Sequence, residues 1–110
     1  MTVHFCIFSH QYAYAHINRI SRIVERRMAW DRDQPTLQSL WYDGKGNWAR
    51  AHAVVDHLDD QDAASVHAYL HRKEGDIGNA DYWYRKARKV RPDIPLNTEW
   101  EQLVLHFLTV

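Results

Sequence analysis

Apolar positions along this chain recur with a helical period, and the pattern is written twice. Leu37, Leu40 and Trp41 share one helical face until Asp43-Gly-Lys-Gly-Asn47 interrupts them. Trp48, Ala51, His52, Val55 and Leu58 then form a second stripe. A shift of 29 residues lays Leu37 on Val66, Leu40 on Tyr69, Trp41 on Leu70 and Gly46 on Gly75. The same shift lays Trp48 on Ile77, Ala51 on Ala80 and Val55 on Tyr84. Each copy predicts a helix, a glycine-containing turn and a second helix.

Local signals agree with that reading. Pro35 falls in a first helical turn, where its missing N–H costs nothing. Asp59, Asp60 and Asp62 precede the second copy, where acids complement the positive end of a helix dipole. Ala63, Val66, His67, Leu70 and His71 line one face of the helix that follows, and Gly75-Asp-Ile-Gly78 turns the chain. Ala80, Trp83, Tyr84 and Ala87 line the return helix, which Pro92 is expected to stop. Thr98-Glu-Trp-Glu101 reads as a capping box that opens a last helix carrying Trp100, Leu103, Val104, Phe107 and Leu108. With no partner copy, that helix is expected to lid the open end of the array. Upstream, Ile17, Ile20, Val24 and Met28 outline one more amphipathic helix, with Arg19, Arg22, Arg26 and Arg27 mostly off its stripe.

The expected fold is all-α, made of stacked antiparallel helical hairpins. A helical extension over residues 1–30 precedes a helical-repeat domain over 31–110, closed by the capping helix. No strand is expected.

Composition narrows the functions. With 110 residues the chain can bury one modest core. Fourteen basic and fourteen acidic residues cancel, so no global field draws it to nucleic acid or anionic lipid. Apolar residues make up 45%, enough to fold. One cysteine, Cys6, excludes an internal disulfide framework and fits a reducing compartment. No apolar run approaches the roughly 20 residues that span a bilayer. Phe5 to Phe8 and Ala13-Tyr-Ala15 sketch a secretion signal, but no Lys or Arg precedes them and the apolar run is short. Cytoplasmic location is the default.

The second copy resembles a tetratricopeptide repeat. Ala80, Tyr84, Ala87 and Pro92 stand at that motif's small, aromatic, small and proline positions. Gly75 sits at its turn and Ala68 in the small slot of its first helix. Ala64, His67 and His71 depart from it, standing where the motif prefers Trp, Leu and Tyr. The first copy matches at Tyr42, Gly46, Ala51, Val55 and Leu58, and departs at Pro35 and Gln38. The resemblance covers roughly residues 35–92 and implies paired antiparallel helices. The run VHAYLHRKEGDIGNADYWYRKA, with WYDGKGNWARAH upstream, is also similar to a group of small uncharacterised bacterial proteins. That likeness implies no activity.

Two readings compete for His67 and His71. They occupy slots the motif fills with Leu and Tyr, so packing against the paired helix is preferred, with Tyr84 or Glu74 as hydrogen-bond partner. Alternatively His67, His71 and Glu74 fall at i, i+4 and i+7, and His52 on the adjacent hairpin supplies a fourth ligand for zinc or another divalent metal. The glutamate of the H-E-x-x-H metalloprotease motif is missing. Cys6, Ser9-His10 and Ser65 lack the context of a nucleophile, and no phosphate loop occurs. Catalysis is therefore not expected, and a cofactor enters only through the metal alternative.

If the hairpins work as tetratricopeptide-like arrays do, their first helices line a concave surface. Leu40, Asp43, Ser65, Tyr69, Arg72 and Lys73 would face it, with Arg72 and Lys73 gripping the carboxylates of a protein or peptide partner. Two hairpins make a shallow groove, so binding calls for a homodimer or a small ligand. The run Arg85-Lys-Ala-Arg-Lys-Val-Arg91, after Trp83 and Tyr84, has the ingredients for single-stranded nucleic acid. Cations at a helix C-terminus explain it more cheaply. Trp41, Trp48, Trp83 and Trp100 are expected in the core.

Overall fold

The computed structural model describes residues 34–109. The helix expected within residues 1–30, and Cys6 with it, lie outside the described residues. Five helices follow in order: α1 Pro35–Gly44, α2 Trp48–Val55, α3 Gln61–Glu74, α4 Ile77–Lys86 and α5 Leu96–Thr109. Among the described residues there is no strand, so the expectation of an all-helical fold holds.

Polar residues between the apolar stripes cap the starts of α2, α3 and α4. Asn47 accepts from Arg50 N at 3.1 Å, Asp60 from Ala63 N at 3.1 Å and Asp76 from Asn79 N at 3.4 Å. Each satisfies an amide that the first helical turn leaves without a partner.

Three helices also end alike. Gly46 and Gly75 adopt left-handed φ of 85° and 91°. Around them Asn47 N donates to Tyr42 O at 2.9 Å and Asp76 N to His71 O at 3.0 Å, closing the last turn. At the end of α4 the same position is held by Arg88, φ 58°, with Lys89 N on Tyr84 O at 2.8 Å. This local turn ends α4 at Lys86, well short of Pro92, so the proline is not its terminator. Helix α5 starts earlier than the capping box implied. Pro95 O accepts from Thr98 N and Glu99 N, each at 3.1 Å, which puts Thr98 inside the first turn.

Consecutive helices joined by short turns pack together, α1 on α2 and α3 on α4, and α3 also touches α1 and α2. Helix α5 lies against α1 and α3. The core is built from Leu37, Leu40, Val55, Val66, Leu70, Trp100, Val104 and Phe107. Cross-helix bonds fix the register: Ser39 Oγ donates to Ala51 O at 2.7 Å, Trp48 Nε1 to Leu70 O at 2.8 Å and Trp100 Nε1 to Leu40 O at 3.0 Å. Trp100 is buried as expected, whereas Trp41, Trp48 and Trp83 are half-buried at the edge.

Helix α3 is the central element, buried on every side from Ala63 to His71. A single stripe would bury half of it. The coverage is complete because α5 adds a second wall where an open face was expected.

Candidate metal centre

Helix α3 presents His67 and His71 one turn apart, and α2 brings His52 to the same place. One ring nitrogen from each of the three lies within 4.8 Å of the others. His52 Nε2 and His67 Nε2 stand 3.1 Å apart. Indoles wall the cluster on two sides. Trp83 stacks on His67 with ring centres 4.0 Å apart, and Trp48 stacks on His52 at 4.9 Å. His67 and His71 are buried, while His52 is half-buried and forms the solvent-facing edge.

Hydrogen bonds orient the rings. His71 Nδ1 lies 2.6 Å from Glu74 Oε2. A carboxylate only accepts, so Nδ1 carries the proton and, in the neutral ring, Nε2 keeps a lone pair. Asn79 Nδ2 points at that lone pair from 3.3 Å. His52 Nδ1 faces Asp56 Oδ2 at 3.9 Å. His67 Nδ1 is buried and has no hydrogen-bond partner among the described residues. An orphaned polar atom costs about 1–3 kcal/mol, a cost that His67 alone of the three bears.

Burial pushes the His67 pKa down to about 4, with the His71 and His52 rings adding to the effect. Burial also lowers His52, and His71 adds to it, while Asp56 and Glu74 pull the other way. Neutral rings with available lone pairs are the form that binds transition metals. Of the four residues in the metal alternative, His52, His67 and His71 converge. Glu74 stands behind His71 as the acceptor of its Nδ1–H, the arrangement that orients a metal-ligating imidazole. Glu74 also groups with His71 and Asp76, on the exposed side of the turn.

The residues expected to line a peptide groove are placed differently. Leu40, Asp43, Ser65 and Tyr69 are buried, Arg72 is half-buried and Lys73 is exposed. Helix α5 packs beside them, against α1 and α3. The carboxylates that Arg72 and Lys73 hold belong to the chain itself. Asp43 accepts from Tyr69 Oη at 2.7 Å and pairs with Lys73 Nζ at 2.8 Å. Glu99 accepts from Tyr84 Oη at 2.6 Å and pairs with Arg72 Nη1 at 2.7 Å. Arg72 Nη2 donates to Ile94 O as well. Burial, then the neighbouring Asp43 carboxylate, raises the Tyr69 pKa; burial, then the bond to Glu99, raises that of Tyr84. Clefts of about 550 Å³ beside Ser65, Tyr84 and Glu99 and of about 220 Å³ beside Asp43, Tyr69, Lys73 and Trp100 remain.

The basic run that spans the end of α4 is dispersed. Arg91 pairs with Asp81 at 2.9 Å, and Lys86 lies over the Tyr82 and Trp83 rings at 5.4 and 5.1 Å. One face of Trp83 is taken up by His67. Sequence reasoning missed Asn79, Trp48 and Trp83 as parts of the histidine site. The first two carry no local signal, but Trp83 is the counterpart of His67 across the hairpin turn. Comparison with protein-family models, curated proteins and solved structures returned no match.

Proposed function

We propose that this protein binds a late first-row divalent metal ion, zinc being the simplest case, through His52, His67 and His71. The observation that carries this reading is the convergence of three imidazoles around a common point, the closest nitrogens 3.1 Å apart. Nitrogens bound at about 2.0–2.1 Å to a tetrahedral zinc stand about 3.3 Å from one another; the His52–His67 pair is at 3.1 Å and all three rings offer nitrogens within 4.8 Å of one another, so binding draws the rings together. An all-imidazole set suits zinc, copper, nickel or cobalt and disfavours magnesium and calcium, which require oxygen. Asp56 and Glu74 lie behind two of the rings and offset part of the ion's charge.

The scaffold reading that accompanies it is tetratricopeptide-like. Gly46 and Gly75 terminating the first helix of each pair, and the tight packing of α1 on α2 and α3 on α4, support it. A peptide-binding role for Leu40, Asp43, Ser65, Tyr69, Arg72 and Lys73 has less support, because their polar groups are engaged internally.

Elemental analysis of protein purified after zinc supplementation tests the metal reading. One zinc per chain is expected, with His71→Ala losing it. Protein that stays metal-free at micromolar zinc removes the reading.

A further inference from the structure

The metal reading, on which this inference rests, has a competitor inside the chain. Glu74 takes the proton on His71 Nδ1, so Nε2 is the nitrogen that His71 has left for an ion. Asn79 Nδ2 already stands on that lone pair, 3.3 Å away. Only the NH₂ end of a carboxamide can face an acceptor, so the orientation is chemically forced. The start of α4 sets Asn79 in place, where Asp76 accepts from its backbone amide at 3.4 Å. Elsewhere in the cluster, His52 Nε2 and His67 Nε2 share one proton across 3.1 Å, since two bare lone pairs would repel at that distance.

The metal-free rings are thus engaged with the chain itself, and an ion ligated by all three breaks both contacts. The apolar core of Leu37, Val55, Leu70 and Trp100 closes without these rings, so the fold does not wait for the ion. We infer that the centre is an exchangeable one, filled and emptied on a folded chain, and that Asn79 Nδ2 is the internal competitor that holds its affinity down. Asn79 is half-buried, so its displaced amide reaches water. A structural zinc site behaves oppositely, because its chain unfolds once the metal is removed.

Zinc is the probe, titrated against a chromophoric chelator, with urea unfolding of the same proteins in zinc and in chelator. The wild type is expected to bind zinc reversibly and to remain cooperatively folded in chelator. Asn79→Ala is expected to bind zinc about three- to tenfold more tightly, as loss of one hydrogen bond from the metal-free state alone requires. The stability that zinc adds is expected to grow by the same factor, a difference in which any change of helix propensity cancels. Equal or weaker zinc binding by Asn79→Ala, with an equal zinc increment in both proteins, shows that the side chain serves the fold alone and overturns its role as competitor. A wild type that binds zinc yet unfolds in chelator makes the site structural and overturns the exchangeable centre while sparing the metal reading. Absence of zinc binding in both proteins removes the metal reading and this inference with it.

Discussion

At the scale of single residues, the histidine cluster sets filling against ligation, and one substitution separates them. His67 is buried, its Nδ1 without a partner among the described residues, stacked on Trp83, and held neutral by its surroundings. Leucine has a similar volume and no polar atom to orphan. With a chelator present, His67→Leu is expected to leave stability unchanged or raise it by about 1 kcal/mol, measured by urea unfolding. The same variant is expected to lose the metal. A destabilisation of more than about 2 kcal/mol without metal would instead mean that the imidazole makes a bond the fold depends on.

Among the elements, the three similar helix ends differ in how well their residues suit them. Gly46 and Gly75 take left-handed φ without strain, whereas Arg88 takes it with a Cβ that crowds the backbone. Arg88→Gly is expected to stabilise the protein by about 0.5–1 kcal/mol, and Gly75→Ala to cost about 1 kcal/mol, in thermal or urea unfolding. Open space surrounds Gly75, so the cost of a methyl there comes from φ alone. A neutral Arg88→Gly would show that its side chain offsets the strain. These ends also mark what the sequence makes legible. Two turns announced themselves through glycine, while the third was hidden because arginine at that position looks like ordinary surface and Pro92 looked like the breaker. The helical periods named the inward faces of α1 through α5. They could not say that α5 would lie on α1 and α3, because a stripe records how much surface needs covering and not what covers it. For the same reason Arg72 and Lys73 read as groove cations, although their carboxylates sit on α5 and α1. The i, i+4 spacing brought His67 and His71 together on paper, and His52 joined them through the pairing of the two repeats.

Across the whole molecule, two phenol–carboxylate bonds each join one helix to another. Tyr69 on α3 donates to Asp43 on α1, and Tyr84 on α4 donates to Glu99 on α5. Both hydroxyls are buried, and both pKa values are raised, chiefly by burial and further by the carboxylates. The folded chain therefore holds protons that the unfolded chain releases once pH passes the ordinary tyrosine value of about 10. The stabilisation is complete below that pH and is lost as pH climbs beyond it, by up to about 1.4 kcal/mol per pH unit for each phenol. Urea unfolding between about pH 8 and about pH 11 is expected to show stability flat at first and then falling steeply. Tyr69→Phe and Tyr84→Phe each lose a hydrogen bond, so each starts lower by about 1 kcal/mol. Each also removes one titrating group, so its alkaline slope is expected to be shallower than that of the parent chain. An unchanged slope in both variants would mean that the alkaline loss comes from elsewhere, and that these two bonds do not hold the helices together as the geometry implies.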